Sequence, residues 1–284
     1  MSFSSEIKQE LNKNSNLVNK GLVKQELIGY LVSGNTSTIE EKKIKFATES
    51  DYNINRFSKL LGNLNINHDI DVSGKTFFII IKKKELDWFD NIIEEIGKKQ
   101  EEEKALIRGL FMGGGSINNP ENKYHLEIII ANERYLEFVK EILVRLGINI
   151  KMLQTEQKCS LYLKEGEEIS KFLALIGANK AVMQFEDIRV QREMRGKVNR
   201  LVNCEAANLN KTINAAVEQI AAIQKLKETG KFNKLEENLK EIAILRLENP
   251  DMSLVELGKL LINPIGKSGV NYRLKKIIEI AKEQ

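Results

Sequence analysis

The stretch ALIRGLFMGGGSINNP, residues 105–120, decides the fold of this chain. An amphipathic run from Ala105 to Met112 ends in three consecutive glycines. Because glycine costs roughly 1 kcal/mol relative to alanine inside a helix, such a run indicates that another group approaches the backbone closely. The segment lacks the GK[ST] ending of a phosphate-binding P-loop, and no strand precedes it as a dinucleotide site requires. These glycines therefore favour close helix packing or an active site over a nucleotide loop.

The same order of elements occurs twice, about 80 residues apart. The corresponding positions are Gly29 and Gly109, Gly34 and Gly114, and Ile96-Gly97 and Ile176-Gly177. Because the element order and the glycine positions agree together, we interpret the pattern as an internal duplication. The alternative is two neighbouring α+β units without common ancestry.

Hydrophobic periodicity predicts the elements of each copy. The first copy is predicted to contain helices at 22–33, 54–65 and 85–97, strands at 37–40 and 43–48, and a hairpin around Gly74-Lys75. The second is predicted to contain helices at 102–113, 133–146 and 166–176, a strand at 124–131, and a hairpin formed by 151–156 and 159–164. We therefore predict an α+β fold: an N-terminal helix within 1–20, then a duplicated αββαββα domain over 21–178 with repeats at 22–97 and 102–177.

Composition limits the function only loosely. The chain has 284 residues, enough for about two domains, and a net charge of +4 that gives no overall nucleic-acid signal. Its two cysteines indicate neither a disulfide framework nor a zinc site. The N-terminus lacks the apolar core of a signal peptide, and no apolar run has the length of a membrane span. We expect a soluble, cytoplasmic protein that needs no cofactor or metal and does not act on a membrane.

From residue 179 onward the strand signal disappears, and the sequence predicts an all-α region. Helices are predicted at 180–202, 209–228 and 235–248. We assign 179–232 to a helical linker and 233–284 to a separate helical domain. The last part of that domain reads SLVELGKLLINPIGKSGVNYRLKKIIEIAKEQ, residues 253–284.

This last segment has the pattern of a helix-turn-helix. Ser253 and Glu256 form a capping-box pattern, Asn263 to Gly266 interrupt the helix, and Ser268 is a second N-cap candidate. The turn is long for the tightest motifs of this kind, which favours the sigma-region-4-like or winged class. The residues predicted to contact double-stranded DNA are Lys267, Ser268, Asn271, Tyr272, Arg273, Lys275 and Lys276. The alternative is a small helical hairpin with a solvated basic face.

A second group of basic residues falls in the predicted linker. Its members are Arg189, Arg192, Arg195, Lys197 and Arg200. They are candidates for contacts with DNA phosphates. The alternative is a solvated helix face on which they pair with Glu186 and Glu193.

The repeated motif LIRGLFMGGGSI resembles the LAGLIDADG motif of homing endonucleases. In that family the motif helix packs on its twin through small residues and ends in a carboxylate that binds magnesium. The resemblance places the helix-contact glycines at Gly29 and Gly109, and it places the acidic positions at Gly34 and Gly114. Glycine has no side-chain oxygen for a hard cation, so the resemblance implies the scaffold without its metal site and without catalysis. The alternative is a nuclease with relocated carboxylates, for which Glu26, Glu103 and Glu127 are the candidates.

The whole chain resembles the WhiA family. The resemblance rests on SFSSEIKQEL at 2–11, LIRGLFMGGGSINNPENKYHLE at 106–127, REMRGKVNRLVNCEAANLNKT at 192–212 and KSGVNYRLKKIIEIA at 267–281. It implies a nucleoid-associated DNA-binding regulator, which controls sporulation genes in spore-formers and takes part in cell division and chromosome segregation elsewhere. A sigma factor or cell-division protein is the implied protein partner. The alternative is a protein-interaction module in which DNA contact is incidental.

Overall fold

A computed structural model describes residues 2–13, 17–40, 42–155 and 158–283. The chain divides into two compact units, Met1–Glu193 and Met194–Gln284, which we treat separately. Residues 1, 14–16, 41, 156–157 and 284, which our sequence assignments include, lie outside the described residues. Within the described ranges, no helix combines the length and the apolarity needed to cross a membrane.

The first unit consists of helices and two four-stranded antiparallel sheets. Its helices are α1 (Phe3–Lys13), α2 (Lys20–Val32), α3 (Asp51–Asn63), α4 (Gln100–Gly114), α5 (Glu133–Arg145), α6 (Gly166–Leu175) and the start of α7 (Asn179–Glu228). Its strands are β1 (Thr36–Ile39), β2 (Lys43–Thr48), β3 (Asp69–Ser73), β4 (Thr76–Lys82), β5 (Gly115–Ile117), β6 (Leu126–Ile130), β7 (Lys151–Gln154) and β8 (Cys159–Leu163).

The two sheets have the same strand order. The first is ordered β1-β2-β4-β3 and the second β5-β6-β8-β7, so each strand of one sheet has a counterpart in the other. This equivalence confirms the duplicated α+β architecture. Strand β5 was not predicted: it begins inside the glycine run, at Gly115, where sequence propensity argues against a strand.

The two motif helices, α2 and α4, pack with their backbones in close contact. A methyl group added at Gly29 would lie 2.6 Å from the Leu110 nitrogen and nearer still to the Leu106 carbonyl oxygen. One added at Gly109 would lie 2.9 Å from the Glu26 carbonyl carbon and nearer still to its oxygen. Real side chains do not tolerate such distances, so only glycine allows the two helices to approach this closely.

The prediction of a helix at 85–97 is wrong. The segment forms 3₁₀ turns at Lys83–Glu85 and Phe89–Asn91, and its backbone hydrogen bonds join residues three apart, as in Phe89 to Leu86. The buried side chains Leu86, Phe89 and Ile92 are also spaced by three. That spacing matches the three residues per turn of a 3₁₀ helix, which places all three side chains on the core.

The two helices predicted at 180–202 and 209–228 are in fact one. Helix α7 is continuous over 50 residues, and the boundary between the two units falls within it. The intervening residues 203–208 contain no proline or glycine, and Glu205, Ala206 and Ala207 favour a helix. At its start, the Glu10 carboxylate of α1 accepts hydrogen bonds from the Lys180 nitrogen at 2.8 Å and the Ala181 nitrogen at 3.1 Å. A side chain from another helix therefore caps α7.

The second unit is all-helical. After α7 and a 3₁₀ turn at Lys231–Lys234, it contains α8 (Glu237–Glu248), α9 (Leu254–Leu260) and α10 (Lys267–Lys282). Its core side chains come from all four helices, and they include Ile223, Leu226, Leu239, Ile242, Leu257, Val270, Leu274 and Ile277. Helices α9 and α10, with the turn between them, form the helix-turn-helix region that the sequence predicted.

Candidate nucleic-acid interface

The start of α9 and the turn after it are fixed by local contacts. The Ser253 nitrogen donates to the Glu256 carboxylate at 2.9 Å, and the Glu256 nitrogen donates to the Ser253 hydroxyl at 3.3 Å, which confirms the capping box. A methyl group at Gly258 would collide with the Ile265 carbonyl oxygen. The Ile265 nitrogen donates to the Gly258 carbonyl at 3.1 Å. Glycine at 258 therefore lets the turn fold back onto α9.

Arg246 organises the loop before α9. Its side chain is 1% exposed, and Nη1 donates to the carbonyl oxygens of Pro250 at 3.2 Å and Met252 at 2.8 Å. Burial lowers the pKa of the guanidinium. The side chain thereby replaces water as the partner of backbone oxygens in the loop that follows α8. Arg246 is not among the residues predicted from the sequence, although a charge between Leu245 and Leu247 was the available signal.

Helix α10 begins at Lys267, two residues before the start implied by an N-cap at Ser268, and the prediction of Ser268 as an N-cap is wrong. Gly266 holds the N-cap position in extended conformation, and its carbonyl accepts from the nitrogens of Gly269 at 3.0 Å and Val270 at 3.2 Å. The first hydrogen bonds of the helix thus run to the backbone of the N-cap glycine, and no side-chain hydrogen bond caps the helix among the described residues. Ser268 instead lies exposed in the first turn of the helix.

Helix α10 has a buried stripe, which consists of Val270, Leu274, Ile277 and Ala281. This stripe determines which of the predicted DNA contacts face outward. Tyr272 is 68% exposed, and Lys267, Ser268 and Lys275 are also exposed. Asn271 is half-buried. An exposed aromatic ring between lysines is suited to contact with bases and phosphates.

Two of the predicted contacts are engaged with α8. The Lys276 ammonium lies 3.0 Å from the Glu236 carboxylate, and this hydrogen bond raises the pKa of Lys276 and lowers that of Glu236. Arg273 Nη1 donates to the Asn238 carbonyl at 3.4 Å. In the structure, these two basic groups therefore tie α10 to the start of α8.

The basic residues of the predicted linker divide into two groups. Arg189 pairs with Glu186 at 2.7 Å, and its guanidinium pKa is raised by that hydrogen bond. Arg192 donates to the Pro120 carbonyl at 2.5 Å and lies 4.5 Å from the centre of the Tyr124 ring. The remaining three, Arg195, Lys197 and Arg200, have exposed side chains. The pairing of Arg189 matches the solvated-face alternative for that residue.

The two positions that the resemblance assigned to catalytic acids, Gly34 and Gly114, have no room for a side chain. A methyl group at Gly114 would lie 2.6 Å from the Ile129 carbonyl oxygen and 3.2 Å from Ser33 Cβ. One at Gly34 would lie 2.8 Å from Ile129 Cβ. The Gly34 nitrogen also donates to the Ile129 carbonyl at 2.8 Å, so strand β6 occupies the space at both motif ends.

The three alternative carboxylates each have a basic partner. Glu26 forms two hydrogen bonds with Arg56, at 2.9 and 2.8 Å, and Glu103 lies 2.5 Å from Arg145. Glu127 lies 2.8 Å from Lys158, and hydrogen bonds from Lys158 and Ser160 hold its pKa below the usual value although its desolvation acts in the opposite direction. Across the described part of the chain, no group of three or more His, Cys, Asp or Glu side chains is placed to hold a metal ion.

Comparison with protein families covers both units. The model of the WhiA LAGLIDADG-like domain matches residues 103–195, and that of the WhiA C-terminal HTH domain matches residues 198–281. A probable cell division protein WhiA from Clostridium novyi is 38% identical over 313 residues, which cover 100% of this chain and 98% of the relative. The corresponding protein of Clostridium acetobutylicum is 48% identical over 193 residues, which cover 68% of this chain and 61% of the relative.

Solved structures agree with this assignment. The crystal structure of full-length WhiA from Thermatoga maritima matches with a TM-score of 0.64 at 31% identity, covering 99% of this chain and 98% of that one. The isolated N-terminal LAGLIDADG domain of WhiA matches with a TM-score of 0.55 at 26% identity, covering 62% of this chain. This chain is therefore a member of the WhiA family.

Proposed function

We propose that this protein is a non-catalytic DNA-binding regulator of cell division, and that α10 is the helix that binds double-stranded DNA. The observation that carries the proposal is the outward surface of α10, where Lys267, Tyr272 and Lys275 are all exposed on one helix of a helix-turn-helix. The name of its relatives, probable cell division protein, supports the cellular role. Chromosome segregation, transcription control and, in a spore-former, sporulation are the processes we propose for it.

We propose a separate role for each segment of the chain. Residues 233–284 bind DNA, and residues 179–232 are the helical linker. The LAGLIDADG-like region over 21–178, which follows the N-terminal helix of 1–20, is a folded scaffold. Arg195, Lys197 and Arg200 are exposed and supply candidate phosphate contacts within the linker. We propose a cytoplasmic, nucleoid-associated location, because double-stranded DNA is the principal partner.

We propose that the protein is not a nuclease, because the motif ends have no room for acidic side chains and the other candidate carboxylates are paired. Ile129 and Ser33 fill the space where side chains at Gly34 and Gly114 would project. The acidic alternatives Glu26 and Glu103 are buried and paired with arginines. A metal-dependent nuclease needs carboxylate oxygens that are free to bind the cation.

Changes at Tyr272 and Lys275 test the DNA-binding proposal. We expect Lys275→Ala to weaken duplex binding about tenfold and to reduce the slope of log K against log salt by about 1, because one phosphate contact is lost. Tyr272→Ala should weaken binding to a similar degree while leaving the salt slope unchanged. The measurement is fluorescence anisotropy with a labelled duplex, repeated at several salt concentrations.

Lys282→Ala is the matched control for these two variants. Lys282 lies at the other end of α10, and its ammonium is 3.0 Å from the Glu218 carboxylate. We expect its removal to leave duplex affinity within twofold of wild type. Equal affinities in Lys275→Ala, Tyr272→Ala and wild type would contradict the assignment of α10 as the DNA-binding helix.

A second candidate function, a protein-interaction module for a sigma factor or division component, has one observation in its favour. Helix α7 carries large apolar side chains that are 47–62% exposed, among them Met194, Val198, Leu201, Leu209, Ile213 and Val217. Exposed apolar stripes of this kind mark protein contacts. We expect Leu209→Asp to abolish capture of such a partner while leaving duplex binding intact, and capture equal to that of wild type would argue against this surface.

A further inference from the structure

A cavity of about 260 Å³ lies in the C-terminal unit, between the second half of α7, the start of α9 and the start of α10. Its polar lining includes Lys211, Thr212, Gln219, Arg246, Lys267 and Asn271. Since one water occupies roughly 30 Å³ of the liquid, the volume accommodates a tetrahedral oxyanion together with several waters. The cavity is therefore large enough for a ligand of the size of a phosphate group.

The charged side chains that line the cavity are all basic. Lys211, Arg246 and Lys267 are cationic, and none of the described lining residues is Asp or Glu. Arg246 is 1% exposed, and within the described chain its hydrogen bonds run to backbone carbonyls rather than to a carboxylate. A buried cation without a counter-charge is unfavourable, and the lowered pKa of this guanidinium has the same cause. A bound anion would compensate the charge.

Two buried polar atoms of the lining residues also lack partners. Gln219 Oε1 and Arg246 Nε have no hydrogen-bond partner among the described residues, and Gln219 is only 5% exposed. A buried polar group left unpaired costs about 1–3 kcal/mol, so folded proteins usually satisfy it with water or a ligand. Arg246 Nε can only donate, whereas the Gln219 amide can donate or accept according to its rotation. With the Gln219 amide rotated so that its nitrogen faces the ligand, both groups donate, and the pair suits a ligand whose oxygens accept.

We propose that this cavity is a phosphate-binding site. The oxygens of the phosphate accept hydrogen bonds from Arg246 Nε, from the ammonium groups of Lys211 and Lys267, and from the nitrogen of the rotated Gln219 amide. The same chemistry is offered by a backbone phosphate of bound DNA and by a free phosphate or phosphate monoester. Because Lys267 and Asn271 belong to the first turns of α10, the occupant contacts the helix that carries the proposed DNA contacts.

Calorimetric titration of the full-length protein with inorganic phosphate, against chloride at equal ionic strength, tests the proposal without DNA. We expect saturable binding of one phosphate per chain, weakened at least fivefold by Lys211→Ala and by Gln219→Leu. Lys227→Ala changes an exposed lysine of the same helix outside the cavity and should bind phosphate like wild type. Absence of saturable binding, or equal binding by Lys211→Ala and wild type, overturns the site. Lys211 is exposed, so its variant remains informative even if the Gln219 variant does not fold.

A labelled duplex then distinguishes the two sources of the phosphate group. If a DNA phosphate occupies the cavity, inorganic phosphate competes with the duplex and Lys211→Ala weakens both ligands. If the ligand is a free phosphate, it binds to the protein–DNA complex as well, and Lys211→Ala leaves duplex affinity unchanged. Both results support a phosphate site. Should the protein bind no duplex at all, the DNA-binding proposal fails while the phosphate titration still decides this one.

Discussion

Replacing Gly109 with alanine is expected to lower the free energy of unfolding of the N-terminal unit by about 3 kcal/mol. The new methyl group would lie within van der Waals overlap of the Glu26 backbone, and a backbone atom cannot move aside as the end of a flexible side chain can. Helices α2 and α4 would have to separate, which disturbs the core between the two sheets. Urea unfolding followed by the fluorescence of Trp88, the only tryptophan, measures the effect within this unit.

The matched control is Gly62→Ala in α3. Gly62 is also a helical glycine, yet a methyl group there would meet no atom within 4 Å. The alanine should therefore raise the free energy of unfolding by about 0.5–1 kcal/mol through its higher helix propensity. If Gly109→Ala were as stable as wild type, the close contact of the motif helices would not exist in solution.

The second large effect is expected from Glu26→Gln, which should destabilise the N-terminal unit by about 3–5 kcal/mol. The Glu26 and Arg56 side chains are 4% and 2% exposed, and they meet through two hydrogen bonds at 2.9 and 2.8 Å. Removing the carboxylate charge leaves the Arg56 guanidinium buried without a counter-charge, since Arg108 at 3.7 Å from the same carboxylate is also cationic. Urea unfolding monitored at Trp88 again provides the measurement.

Two further variants make the cause of this loss explicit. Glu101→Gln removes an exposed partner of Lys104, with 70% of the Glu101 side chain accessible, and should change stability by less than about 0.5 kcal/mol. The double variant Glu26→Leu/Arg56→Met removes both buried charges and should recover much of the lost stability. A double variant no more stable than Glu26→Gln would show that the ion pair itself, rather than an unpaired charge, accounts for the loss.

The sequence predicted those parts of the fold that depend on local pattern and on repetition. Gly29 and Gly109 recur at the same place in two copies, and the duplicated sheets follow from that correspondence. The prediction of a helix at 85–97 was wrong because the burial of Leu86, Phe89 and Ile92 imposes a three-residue spacing, which helix propensity does not reveal. Tertiary packing overrode local preference in that segment.

The candidate interface was predictable only in part. The buried stripe of α10 can be recognised from its spacing, and it correctly leaves Tyr272 and Lys275 exposed. The contacts of Lys276 with Glu236 and of Arg273 with the Asn238 carbonyl join residues 40 and 35 positions apart. No local pattern specifies such pairs, and the same holds for the cavity that brings Gln219 near the loop organised by Arg246.

Strand β6 leaves no room for acidic side chains at the motif ends. An aspartate at position 34 or 114 would meet Ile129, whose side chain and backbone already fill the space. Such a substitution would need a smaller residue at 129 and displacement of the Gly34–Ile129 hydrogen bond before the acid could be accommodated. Each of those steps weakens the scaffold and by itself yields no metal site, so no single substitution can turn the motif ends into a place where a cation binds.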